Sequence, residues 1–147
     1  YIDASGETRS VNADKMKLSY RHSVFAENPD NIITDMTLRL EKGNHDEIQA
    51  EMKTLMQKRL DKQPLEYPSA GSTFKRPEGS YASLLIEQCG LKGLTYGGAR
   101  VSEKHSGFVV NKGNATFEDV IKLTDEVKKT VLEKTGYSLE LEPVILK

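Results

Sequence analysis

The chain has 147 residues, 37% hydrophobic and 29% charged, with a formal net charge of -1. That length holds one domain with a core, or a small domain plus part of another, and the near-neutral balance gives no broad electrostatic reason to expect nucleic acid or an anionic membrane as partner. No apolar run approaches the ~20 residues that span a bilayer, the lone Cys89 excludes an internal disulfide, and three scattered histidines (His22, His45, His105) argue against a dedicated metal site.

Tyr1-Ile2-Asp3 opens without an initiator methionine or the charged start and apolar centre of a signal peptide. The expectation is a C-terminal piece of a longer protein in a reducing, cytoplasmic setting. Ile2 to Val11 reads as a hairpin with its turn at Ser5-Gly6. Asn12 is placed to cap a short helix over Ala13 to Leu18. From Ile33 to Leu40 the pattern alternates, which puts Met36, Leu38 and Leu40 on a buried strand face. Asn44 then caps a helix from His45 to about Leu60, whose Ile48, Met52, Leu55, Met56 and Leu60 form one apolar stripe expected to face the core.

Pro68 to Pro77 reads as a loop, with small residues, two hydroxyls, Phe74, Lys75 and Arg76 set between prolines. Composition leaves open whether it is a functional loop or a linker. A helix from Ser80, its expected cap, to Cys89 stops at Gly90. Two short strands follow, at about Ala99 to Ser102 and Phe108 to Val110. Thr116 and Asp119 have capping-box spacing and open a helix with Phe117, Val120, Ile121, Val127 and Val131 on one face. Gly136 closes it, and Leu139 to Leu146 is expected as an edge strand interrupted by Pro143. The class is α+β. The boundary is placed at 62/63, giving units 1–62 and 63–147.

Between Gly71 and Lys112 stand six cations (Lys75, Arg76, Lys92, Arg100, Lys104, Lys112) and three acids (Glu78, Glu87, Glu103). A glycine-rich segment with local positive charge suits a phosphorylated ligand, and equally suits solvated loops. Arg21 offers a guanidinium fork for a carboxylate. Glu142 sits among apolar residues, where a carboxylate must pair, hold a proton or face water.

Taken in order, Tyr20-Arg21-His22-Ser23-Val24-Phe25, the run from Gln63 to Pro77, Gly90-Leu91-Lys92-Gly93, Gly97-Gly98-Ala99 and Val101-Ser102-Glu103-Lys104-His105-Ser106-Gly107-Phe108 resemble the C-terminal half of the UDP-N-acetylenolpyruvoylglucosamine reductase family. The resemblance covers essentially the whole chain. It implies the distal part of an FAD-binding domain (1–62) and a small α+β substrate-binding domain (63–147). It also implies reduction of an enolpyruvyl nucleotide sugar to UDP-N-acetylmuramate by NADPH through FAD, in peptidoglycan synthesis, without a metal. Residue by residue, Ser72 matches the proton donor, Arg21 the carboxylate-binding arginine and Glu142 the C-terminal glutamate. Tyr20, Gly71, Lys75, Arg76, Lys104, His105 and Asn111 are the implied substrate contacts. Lys75 or Arg76 is expected to steady the Ser72 alkoxide. Two departures stand out: the family's glycine-rich FAD cradle lies outside this span, implying a missing N-terminal flavin-binding half, whether removed or a separate chain, and Pro143 follows Glu142 where the family places proline before the glutamate. The rival reading is a non-catalytic binding module for phosphorylated or nucleotide-sugar ligands.

Overall fold

Local capping chemistry fixes the long helices. A computed structural model describes residues 1–146, and the chain divides into two units, Tyr1–Gly43 and Asn44–Lys147.

In the first unit, Ile2 bridges both Thr8 and Ile32, and Gly6 takes φ +84 in the Ser5-Gly6 turn. Asp3 organises that turn. Its carboxylate accepts from Ser5 N and Oγ, Glu7 N and Arg9 Nε, and these bonds, with the Ser5 hydroxyl foremost, hold it well below the usual carboxylate range. Asn12 precedes only a 3-10 turn, Ala13–Lys15, and makes no side-chain cap bond. A short helix, α1 (Val24–Glu27), is capped by Ser23. The strand expected over 33–40 is absent: Met36, Leu38 and Leu40 are exposed. Alternation specifies a strand only where another strand pairs with it, and the described residues of this segment join no ladder.

The second unit opens with α2 (His45–Lys62), where Asn44 Oδ1 accepts from Asp46 N and Glu47 N as the sequence predicts. Its apolar stripe does not enter the core. Ile48, Met52, Leu55, Met56 and Leu60 are 44–63% exposed. The core instead lies between a four-stranded antiparallel sheet and two helices. Strands β1 (Ser69–Ser72), β2 (Thr95–Tyr96), β3 (Ala99–Val101) and β4 (Phe108–Asn111) run in the order β1-β4-β3-β2. Helices α3 (Ala82–Gln88) and α4 (Phe117–Thr135) pack together, and α4 covers β2 and β3. Ile86, Leu123, Val101, Val127 and Val131 are fully buried there, each contributing roughly 1.5–3 kcal/mol of apolar transfer.

The Thr116–Asp119 capping box forms in both directions and Gly136 ends α4 at φ +76, both as expected. Phe117 stands in the first turn and is 65% exposed; Leu123 and Thr124 take its place on the buried face. Ser80 does not cap α3. Its amide closes a turn on Pro77 O, with Gly79 at φ +76, so the helix starts at Ala82 after Tyr81. The final strand shrinks to a single Phe74–Leu141 bridge, since Pro143 removes a ladder donor. Among the described residues no helix is long and apolar enough to cross a membrane.

Candidate catalytic site at the end of β1

The segment read as a loop begins as an edge strand. Ser69 pairs with Val110 and Ser72 with Phe108, so three steps along β1 match two along β4. One extra residue makes a β-bulge, and Gly71 absorbs it at φ +83. A Cβ at Gly71 would meet no atom within 4 Å. Glycine is needed there for its backbone angle, not for space. The bulge leaves Ser72 exposed while the next two side chains, Thr73 and Phe74, are buried.

Thr73 holds this arrangement. Its amide donates to Gly107 O at 2.8 Å, its hydroxyl accepts from Val109 N at 2.9 Å, and its carbonyl accepts from Glu142 N at 3.0 Å. Lys75 N also donates to Glu140 O at 2.8 Å. The C-terminal segment thus lies antiparallel to Thr73–Lys75, and Glu142, half-buried, is tied to the residue that follows Ser72.

The Ser102–Phe108 run frames the other side. Ser102 Oγ accepts from Lys104 N and His105 N, Ser106 Oγ donates to Ser83 O at 2.6 Å, and Gly107 N donates to His105 Nδ1 at 3.1 Å. That last bond puts the ring proton of neutral His105 on Nε2. The ring lies edge-on to Phe108, centroids 4.9 Å apart.

The cations do not gather into one cluster. Lys75 Nζ pairs with Glu140 Oε2 at 3.1 Å, and the Arg76 guanidinium lies 4.1 Å from the Tyr81 ring centroid. Lys92 pairs with Glu87 and Arg100 with Glu103. Lys104 Nζ donates to Leu60 O, and Lys112 Nζ donates to Tyr67 OH. Arg100, Lys104, Lys112 and Tyr67 do share a small polar cleft of ≈ 190 Å³ with Glu66 and Glu103. Asn111 Oδ1 accepts from Gly113 N and Ala115 N, closing the loop into α4. Beside β1 lies a larger groove of ≈ 680 Å³, walled by Val109, Val120 and Ile121 among others, with no lysine or arginine among the described residues of its lining. It does not fit a diphosphate such as that of FAD. No group of three or more His, Cys, Asp or Glu side chains placed to hold a metal occurs among the described residues.

Tyr20 and Arg21 form their own feature in the first unit. Ser19 and His22 exchange both backbone hydrogen bonds at 3.2 Å, leaving Tyr20-Arg21 as a two-residue turn. Arg21 holds φ +54, and its guanidinium is 5.2 Å from the Tyr20 ring centroid. Such an angle costs a non-glycine residue roughly 1–2 kcal/mol. Glu27 steadies the turn's flanks through Lys17 Nζ at 2.7 Å and His22 Nε2 at 3.2 Å.

Among the expected residues, the structure therefore brings Ser72, Gly71 and Glu142 together through Thr73. His105 and its loop lie behind that junction. Thr73 itself escapes a reading of the sequence: its signal, a hydroxyl set between Ser72 and Phe74, has meaning only once the bulge places it over Val109.

The model of the UDP-N-acetylenolpyruvoylglucosamine reductase C-terminal domain matches residues 63–146. UDP-N-acetylenolpyruvoylglucosamine reductases of Caldanaerobacter subterraneus and Clostridium novyi are 51% and 50% identical over 144 and 141 residues. These matches cover 98% and 96% of this chain but 47% and 46% of the relatives. A crystal structure of UDP-N-acetylenolpyruvylglucosamine reductase from Thermus caldophilus aligns with TM-score 0.72 and 36% identity, covering 88% of this chain and 45% of that one. The chain spans about half the length of the curated relatives it matches. A family model over more than half of its residues, and relatives about half identical across nearly all of it, establish that the chain belongs to the UDP-N-acetylenolpyruvoylglucosamine reductase family.

Proposed function

We propose that this chain supplies the proton-donating and substrate-binding part of a reductase that converts the enolpyruvyl ether of a UDP sugar to UDP-N-acetylmuramate in the cytoplasm, for peptidoglycan synthesis. The observation that carries the reading is the junction at Thr73, which sets the exposed Ser72 beside the segment bearing Glu142. FAD, reduced by NADPH, supplies a hydride when bound, and we assign its binding to the length of the relatives that this chain does not span.

The remaining chemistry falls to residues present here. An enolpyruvyl double bond is conjugated to a carboxylate. When hydride adds to the terminal carbon, the electron pair of the double bond moves to the carbon beside the carboxylate and spreads into it. Arg21 binds that carboxylate and neutralises the growing charge. Glu142 is assigned to stabilising the enol-like intermediate beside that carboxylate. Both interactions strengthen as charge develops, which is what lowers the barrier. Ser72 Oγ then gives its proton to the carbon beside the carboxylate, and solvent returns one to the serine. Tyr20, Gly71, Arg76, Lys104, His105 and Asn111 are assigned to holding the nucleotide sugar. Lys75 is assigned to the same task, and its release from Glu140 would let it steady the serine alkoxide.

The test is single-turnover kinetics on the chain recombined with a flavin-binding half from a relative. Ser72→Ala should leave flavin reduction by NADPH unchanged and slow reoxidation by the enolpyruvyl substrate by about 10²–10⁴-fold, the usual worth of a positioned acid. Unaltered reoxidation would refute the reading and favour a non-catalytic nucleotide-sugar binding module.

A further inference from the structure

We infer that Thr73 is a positioning residue that fixes Ser72 and Glu142 relative to one another through its side-chain hydroxyl; this rests on the roles proposed for those two residues. Thr73 is 5% exposed, and all three of its polar groups are used on different segments. The amide goes to the Ser102–Phe108 loop through Gly107 O, the carbonyl to the C-terminal segment through Glu142 N, and the hydroxyl to β4 through Val109 N.

The hydroxyl is the informative member of the three. In a regular antiparallel pair the amide of Val109 would find a carbonyl on β1. The extra residue at Gly71 shifts the register between Ser69 and Ser72, and the Thr73 hydroxyl takes the place of that carbonyl. The bond lies in the interior, where an unmet donor costs much more than the bond itself gains. A β-branched side chain is also stiff at χ1, so fixing Oγ1 fixes the Thr73 backbone. Ser72 precedes that backbone directly, and Glu142 hangs from its carbonyl. Valine keeps the shape and loses only the acceptor; serine keeps the acceptor and loses only a methyl group.

The experiment compares Thr73→Val, Thr73→Ser and wild type in the full chain, with two readouts. The first is amide hydrogen exchange at Val109 and Glu142, with Leu123 and Val127 as internal references. Thr73→Val should speed exchange at Val109 and Glu142 by about tenfold or more while the references hold, and Thr73→Ser should restore protection. The second is the single-turnover rate constant for flavin reoxidation by substrate in the recombined reductase. A rate constant, unlike an amplitude, does not change when a fraction of molecules unfolds. Thr73→Val should lower it about tenfold to a hundredfold, the scale expected from a misplaced catalytic group, with substrate KM unchanged and recovery in Thr73→Ser. Should Thr73→Val fail to fold, Thr73→Ala removes the same acceptor in a smaller side chain and is held to the same outcomes. Wild-type protection together with a wild-type rate constant in the valine variant overturns the inference, as does loss at the references as large as at Val109. If wild type itself shows no turnover, the proposed function falls, and the exchange readout alone decides whether Thr73 couples the two segments.

Discussion

Gly71→Ala isolates the backbone term at the site. Gly71 lies at φ +83, and the added methyl group would meet no atom within 4 Å. The substitution therefore adds no clash and only the cost of a left-handed conformation, roughly 1–2 kcal/mol. The chain has two ways to respond. It keeps the bulge and loses that much stability, or it flattens the bulge, slips the register by one residue and turns Ser72 to the other face of the sheet. Slipping breaks the three bonds at Thr73, to Gly107, Val109 and Glu142. At a net ~0.5–1.5 kcal/mol each, these total about 1.5–4.5 kcal/mol, and the buried Val109 amide would be left unmet as well. Keeping the bulge is cheaper. Urea unfolding of Gly71→Ala should show a loss of about 1–2 kcal/mol with an unchanged m-value, while amide protection at Val109 and Glu142, referred to the new global stability, stays as in wild type. A loss below about 0.5 kcal/mol, or selective deprotection at Val109, would refute the reasoning, because either would mean that the bulge is not held by Thr73.

Arg21 tests whether a strained turn is maintained for chemistry. Arg21→Gly relieves the left-handed strain but also removes the guanidinium and its contact with the Tyr20 ring, so stability should change by no more than about 1 kcal/mol in either direction, while substrate-driven flavin reoxidation in the recombined reductase drops about 10²-fold or more; thermal melting and single-turnover kinetics read the two, and retained reoxidation counts against the assigned role. The α4 cap gives a pH dependence. Bonds from the Thr116 amide, with smaller help from the Thr116 hydroxyl, Gly98 N and Lys122, lower the pKa of Asp119 below its ordinary 3.8. A lowered folded pKa contributes stability that is complete above the unfolded value near pH 4 and disappears as pH falls through the folded value. Helix content followed by circular dichroism during denaturation at pH 6 and pH 2.5 should show a larger acid-induced loss in wild type than in Asp119→Asn; parallel losses would contradict it.

What the sequence reveals is what local chemistry decides. Asn44, the Thr116–Asp119 box and Gly136 bound their helices because a cap bond closes within four residues of chain. Strands β3 and β4 are legible because both are short segments with β-branched or aromatic residues set between turns. Strand β1 is not, because a glycine-bearing bulge has meaning only against the register of β4. The errors of burial share one cause. Met36, Leu38 and Leu40 alternate as a strand should, and the α2 residues recur at helical spacing, yet both sets are exposed. Periodicity states which face is apolar without stating what covers it. Of the candidate site, Ser72 and Glu142 are nameable through the family resemblance, whereas their link through Thr73 is a fact of tertiary structure.

The distribution of buried hydroxyls indicates what this part of the fold maintains. A hydroxyl taken from water costs free energy unless it is bonded, and a bonded one then holds its segment more rigidly than an apolar group would. Among the described residues, the buried polar ones are Thr73, Ser102, Ser106 and Thr124. Thr124 bonds within its own helix, to Ile121 O. The other three secure the two segments that meet beside Ser72: Thr73 grips β4, Ser102 folds the loop back on its own amides, and Ser106 anchors that loop to Ser83 just inside α3. Serine is a weak acid in water, so its usefulness as a proton donor depends on where it is held and on what surrounds it when charge develops. A frame of bonded hydroxyls around one exposed hydroxyl meets the first of those requirements within this chain, and Glu142, whose amide is tied to Thr73 O, is the group we assign to the second.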